Sequence, residues 1–274
     1  MRHSIRFPLF SLLILIGWIG CKVNPYKATN SLYKDSARKY SRMLSQAPLP
    51  VGADSVPTPD WWVGTTNFNL RKPNFVIIHH TAQNSCPQTL QTFTQARTQV
   101  SAHYVICRDG KIYHMLNDYL RAWQAGVSKW GNITDVNSIS IGIELDNDGA
   151  EPFPDAQINS LLHLLTHLKT AYNIPAANFI GHGDIAPTRK NDPSAFFPWK
   201  QLADKGFGLW WADTTNLPFP NDFNTLTALR LIGYDTRDSN AAAFAFKRHF
   251  EQDTTHTWNQ ADKRVLYALY RLYE

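Results

Sequence analysis

Asn74-Phe75-Val76-Ile77-Ile78-His79-His80 is the stretch on which the fold turns. It is short, apolar and rich in β-branched residues, which reads as a buried strand. It ends on two histidines, and a histidine at the end of a buried strand is costly without a partner. Working outward, Thr89 to Gln99 places Leu90, Phe93 and Ala96-Arg97 at helical spacing, and Ala102 to Cys107 reads as a second strand. Asp109-Gly110 is a hairpin turn signal, so Lys111 to Met115 is the return strand. Ser138 to Leu145 is a further strand. Asp155 opens a long helix with Ile158, Leu161, Leu162, Leu165, Leu168 and Tyr172 on one face, a cap at Asp155 itself and Pro175 beyond its end. Asn178 to His182 reads as the last strand. Strands interleaved with helices predict an α/β fold with a mixed central sheet flanked by helices.

The flanks have a different composition. Pro48, Pro50, Pro57 and Pro59 punctuate the end of a polar leading segment, in which Tyr33 to Leu44 is a short helix candidate. Beyond a linker at Leu217-Pro218-Phe219-Pro220, three helical stretches follow: Phe223 to Ile232, Asn240 to Phe250 and Gln260 to Tyr273. Leu226, Leu229, Phe244, Phe246, Phe250, Leu266, Leu269 and Leu272 suit a small three-helix core, which at this size is marginal alone.

At the start, Arg2, His3 and Arg6 precede an apolar run from Phe7 to Ile19, too short for a comfortable span and fitting a signal-peptide core. The run ends at Gly20-Cys21, which resembles the lipobox of bacterial lipoproteins, where the cysteine is lipidated. Trp18 is a departure, since a smaller aliphatic is usual three residues before that cysteine. With Cys21 so engaged, Cys86 and Cys107 are an even pair, either a disulfide in an oxidising envelope or two free buried thiols. The formal net charge of +5 is mildly basic and favours anionic surfaces. No Lys/Arg run is dense enough to argue for nucleic acid. Nothing resembles a dimer seam, so a monomer is expected.

The chemistry-bearing residues are His79-His80, Glu144 inside an apolar strand, His182-Gly183-Asp184, and Arg189-Lys190-Asn191-Asp192-Pro193. Two histidines and a carboxylate are a known catalytic zinc set that leaves one position for water. A carboxylate such as Glu144 suits the proton shuttle and a cation such as Lys190 the oxyanion. The residues alone leave a second reading open, in which each histidine is a hydrogen-bonded core residue, because the compact H-E-x-x-H helix motif is absent.

Several ordered motifs then carry a resemblance. They are Val76-Ile77-Ile78-His79-His80-Thr81-Ala82, Ser101-Ala102-His103-Tyr104-Val105, Arg121-Ala122-Trp123-Gln124-Ala125-Gly126, Ser140-Ile141-Gly142-Ile143-Glu144-Leu145, and Gly181-His182-Gly183-Asp184 through Asp192-Pro193, closed by Phe197-Pro198-Trp199. The region from about 72 to 212 resembles the type 2 N-acetylmuramoyl-L-alanine amidases, a family related to T7-type lysozyme and to peptidoglycan recognition proteins. The resemblance implies one zinc ion held by His79, His182 and Asp192, with His79 rather than His80 at the ligand position. It implies Glu144 as the base and Lys190 as the oxyanion partner. It implies Trp123 and Gln124 as substrate-side residues, Gln124 standing where relatives often carry histidine, and His103 as lining the groove or supporting the strand. Asp184 and Arg189 are read as structural.

The expected organisation is a lipoprotein signal at 1–21, a tether at 22–60, a zinc amidase domain at 61–213 and a helical peptidoglycan-binding-like domain at 214–274. The expected partners are peptidoglycan or muropeptides, and a membrane reached through lipid on Cys21. The resemblance to lipoprotein members places the chain on the outer membrane facing the periplasm. Two other functions stay open, a non-catalytic peptidoglycan receptor and a zinc hydrolase of another amide.

Overall fold

The structure, a computed structural model, describes residues 24–46, 65, 67, 69–70, 72–215, 217–255 and 257–273. The chain divides into two compact units, Met1–Asn67 and Phe68–Glu274. Cys21 and the apolar run from Phe7 to Ile19 lie outside the described residues. The first unit contains helix α1, Lys27–Leu44, which starts earlier than the expected Tyr33 and buries none of its side chains.

The second unit is built on five strands, β1 (Phe75–His80), β2 (Tyr104–Ile106), β3 (Ile112–His114), β4 (Ser140–Leu145) and β5 (Phe179–Gly181). Their order is β3-β2-β4-β1-β5. Only β3 runs antiparallel, paired with β2 through the turn at Asp109-Gly110, where Gly110 takes a φ of +84°. The other neighbours are parallel. Both central strands are buried along their whole length, which explains why β1 and β4 read as continuous apolar runs rather than alternating ones.

Each sheet face has its own apolar layer. Val76, Ile78, Ile141 and Ile143 pack with Ile158, Leu161, Leu165 and Leu168 of helix α3 (Asp155–Tyr172). Asp155 does not cap α3. The N-cap position is Pro154, and Asp155 sits in the first turn, where its charge complements the helix dipole. The helix leaves through Asn173 in a left-handed conformation, ahead of Pro175. The predicted helix over 89–99 is instead α2 (Cys86–Phe93), capped by the Ser85 side chain, and a separate 3-10 turn at Ala96–Thr98. Cys86 at the start of α2 is disulfide-bonded to Cys107, just past β2.

After β5 come α4 (His182–Ile185) and α5 (Trp199–Asp204), then α6 (Thr225–Ile232), α7 (Ser239–Phe250) and α8 (Gln260–Tyr270). The last three keep no core to themselves. Leu229, Ile232, Phe246, Phe250, Leu266 and Leu269 share one cluster with Phe75, Ile77 and Ile180 of the sheet. Three short helices bury little surface alone, and the second face of the sheet needs a cover, so one contact serves both.

Candidate active site

Ligands of open parallel sheets bind beyond the carboxyl ends of the strands. Three site residues come from those ends here: His79 in β1, Glu144 in β4, and His182 directly after β5. Asp192 arrives on the loop behind α4, which is tied to that helix by the Gly183 N–H donating to the Asp192 carbonyl at 2.7 Å. His79 Nδ1 lies 3.0 Å from His182 Nδ1 and 3.0 Å from Asp192 Oδ2, and His182 Nδ1 lies 3.1 Å from the same oxygen. All three side chains are buried.

The far side of each ring determines what these atoms can do. His79 Nε2 is 2.6 Å from Gln124 Oε1. The Gln124 amide is oriented by its own Nε2 donating to Ser140 Oγ at 2.8 Å, so its oxygen faces the ring and His79 Nε2 carries the hydrogen. His182 Nε2 is 3.1 Å from the Ala125 carbonyl and donates to it. Both Nδ1 lone pairs therefore point, with a carboxylate oxygen, at one spot. Acceptors facing acceptors call for a cation. Donors about 2.0 Å from a tetrahedral zinc sit about 3.3 Å apart, close to the separations seen. The donor set thus fits a metal ion, and among the described residues it is the one group of three that does.

Gly142 makes the Gln124 support possible. A Cβ there would lie 2.5 Å from Gln124 Cγ, so only glycine lets this side chain pass beneath His79. Asn137 Oδ1 accepts from the backbone N–H of both Gln124 and Ala125, fixing the dipeptide that orients the two rings. Arg189 donates to the Ala125 and Val127 carbonyls and so secures the same loop.

Charge at the site follows from burial. Burial pushes the Glu144 carboxyl up to about 7, against the opposing fields of His79 and Lys190 and with that of Asp192. Burial and then the neighbouring His79 push His182 down to about 4. Glu144 Oε1 stands 3.9 Å from His79 Nδ1 and makes no closer ion pair among the described residues. A carboxyl poised near neutrality beside the donor cluster suits proton transfer.

The remaining candidates separate. Trp123 is 49% exposed and the neighbouring Val127 86%, so both offer apolar surface on the loop that orients the histidines. Gln124, expected on the substrate side, is buried and turned under His79. His103 is placed for the second of its two expected roles, support of a strand. It is wholly buried, accepting from the Gly142 N–H and bonded to the Leu120 carbonyl, and so ties β4 to the loop that follows β3. His80 points to the other face and accepts from the Ser194 N–H. Asp184 is bonded to Gly181, Tyr234 and His249. Sequence reasoning missed Tyr234 and His249, which lie in the C-terminal segment with no motif around them.

Fold and donor set together define a class, that of α/β proteins with a cluster fit to hold a single metal ion at the edge of the sheet. Residues 69–195 match the family model described as N-acetylmuramoyl-L-alanine amidase. The chain is 35% identical over 207 residues to the N-acetylmuramoyl-L-alanine amidase AmiD of Escherichia coli K12, covering 64% of this chain and 74% of that one. It is 41% identical over 104 residues to the 1,6-anhydro-N-acetylmuramyl-L-alanine amidase AmpD of Haemophilus influenzae, spanning 38% of this chain and 56% of that relative. Among solved structures, E. coli AmiD with the substrate anhydro-N-acetylmuramic acid-L-Ala-D-gamma-Glu-L-Lys matches with a TM-score of 0.67 at 28% identity, over 80% of this chain and 97% of that one. AmpDh3 from Pseudomonas aeruginosa in complex with anhydromuramic pentapeptide matches at 0.66 and 28%, over 82% and 99%. The chain belongs to the N-acetylmuramoyl-L-alanine amidase family.

Proposed function

We propose that this chain is a zinc-dependent amidase that hydrolyses the amide between N-acetylmuramic acid and the L-alanine of the stem peptide. The observation that carries this reading is the convergence of His79, His182 and Asp192, with Glu144 3.9 Å from His79. When bound there, zinc supplies a Lewis acid that polarises the scissile carbonyl and acidifies the attacking water. The protein's groups do the rest. Glu144 takes the proton of the attacking water and returns it to the L-alanine nitrogen as the C–N bond breaks. Lys190, whose charge is felt at both Glu144 and His182, offsets the negative charge that develops on the carbonyl oxygen. Trp123 supplies apolar surface beside the site for the sugar or peptide.

Export and anchoring through lipidated Cys21 belong to the same proposal, supported by the charged start, the short apolar run and Gly20-Cys21. The Cys86–Cys107 disulfide suits an oxidising envelope. The helical segment 214–274 is proposed to help hold the wall polymer, supported by its resemblance to peptidoglycan-binding units and by exposed Leu231 and Leu272.

The test is a digest of sacculi and of defined muropeptides by protein lacking residues 1–21, read by mass spectrometry with and without a chelator. Free stem peptides beginning at L-alanine, lost on chelation and restored by zinc, are the expected products. Intact muropeptides despite bound zinc would favour a receptor without catalysis, or another amide substrate.

A further inference from the structure

The turn that carries His182 is gripped by the C-terminal helices. Helix α4 is a single turn that opens on His182, and Asp184, two residues on, is 2% exposed. Its carboxylate accepts three hydrogen bonds. Oδ2 accepts from the Gly181 N–H at 2.7 Å and from His249 Nδ1 at 2.7 Å, and Oδ1 accepts from the Tyr234 hydroxyl at 2.9 Å. The first of these closes the start of α4 itself. The other two come from residues 50 and 65 positions further along the chain, between α6 and α7 and on α7.

Both outside donors are immobilised. The His249 ring stacks on Trp199 at 3.8 Å between centroids and 14° between planes. Tyr234 is 2% exposed and packs edge-on against Trp130. Arg248, the neighbour of His249, presses on Gly183, where a Cβ would lie 1.9 Å from its Nη2. The backbone between His182 and Asp184 is therefore held from one side by the guanidinium. On the other it is tied to Asp192 through the Gly183 N–H.

None of these groups belongs to the donor cluster itself. A carboxylate buried this deeply is costly unless fully hydrogen-bonded, and here the bonding partners come from a segment outside the catalytic motifs. We propose that Tyr234 and His249 are positioning residues of the metal centre. Through Asp184 they hold the His182 turn so that Nδ1 meets His79 and Asp192. The C-terminal helices are then part of the metal site's scaffold in addition to any role toward the wall polymer. This rests on the metal reading of the His79, His182 and Asp192 cluster.

The test uses the full chain with Tyr234→Phe, His249→Leu and His249→Asn. Zinc affinity is measured by chelator competition, the visible spectrum is recorded after cobalt substitution, and kcat and KM are measured at saturating zinc. Supporting partners behind metal-ligating histidines are worth about 10- to 100-fold in metal affinity. Tyr234→Phe and His249→Leu should each weaken zinc about tenfold or more and shift the cobalt spectrum, with KM unchanged. His249→Asn keeps a donor at the Nδ1 position and should recover most of the loss. If His249→Leu does not fold, Tyr234→Phe carries the test, since it removes a single oxygen. Wild-type zinc affinity and cobalt spectrum in the folded variants, even with lower thermal midpoints, overturn the proposal. A wild-type chain that takes up no zinc at the cluster overturns the metal reading and this one together.

Discussion

His79 and Glu144 are register partners across the parallel β1–β4 pair, and their side chains share one face of the sheet 3.9 Å apart. The sheet itself thus sets the distance between a metal donor and the proposed base. No loop has to close to bring them together. Gly142, two residues before Glu144 on the same face, leaves the space through which Gln124 supports His79. Three adjacent side-chain sites on two strands therefore define the donor, the base and the clearance for the support.

Glu144→Ala is expected to abolish turnover while zinc stays bound, because Glu144 contributes no donor to the cluster. A general base is worth about 100-fold or more in rate. Muropeptide hydrolysis and zinc content, measured on the same preparation, check it. Turnover within a few-fold of wild type would remove Glu144 from the reaction.

Gln124→Leu takes away the acceptor that fixes the His79 tautomer, and zinc should bind about 10- to 100-fold more weakly. Gly142→Ala should act in the same direction from the other side, since the new methyl occupies the path of the Gln124 side chain. Chelator competition on both variants is the measurement. An unchanged zinc constant in both would show that the glutamine is a bystander.

Stability should fall as pH rises through the weakly acidic to mildly alkaline range because of Glu251. Burial, then Asp262 close by, pushes its carboxyl up to about 8, with Lys247 opposing and Asp253 adding to the rise. The folded state binds this proton more tightly than the unfolded chain. Stability from it is complete below the ordinary glutamate value of about 4.5 and is lost progressively up to about pH 8. Glu251→Gln should therefore raise the thermal midpoint at pH 8 relative to wild type and leave it nearly unchanged at pH 5. Equal effects at both pH values would assign the change to packing instead.

Reducing the Cys86–Cys107 bond should destabilise the second unit. The bridge spans 21 residues, a loop whose closure is worth about 3 kcal/mol in the chain-entropy view. Denaturant unfolding of the Cys86→Ser, Cys107→Ser double variant against the oxidised protein gives the number. Its catalytic rate when folded should match wild type, since neither cysteine touches the donor cluster.

Much of this protein is legible in the residue order alone. The central strands are short apolar runs, and α3 has an apolar stripe of helical period, so local periodicity suffices to find them. His79, Glu144, His182 and Asp192 stand in short motifs at strand ends, where residue type and neighbours already suggest chemistry. Helix ends were less legible, as Asp155 and the stretch from 89 to 99 show, because caps depend on local backbone angles that several residues satisfy.

Only the tertiary structure decided the pairing of Cys86 with Cys107, the turning of Gln124 beneath His79, the burial of His103, and the hold of Tyr234 and His249 on Asp184. Each of these is a contact between residues 21 to 65 positions apart. A hydrogen bond or packed ring at that separation leaves no period in the chain. It exists because the sheet brings distant strand ends to one edge and the C-terminal helices fold back onto the face below it.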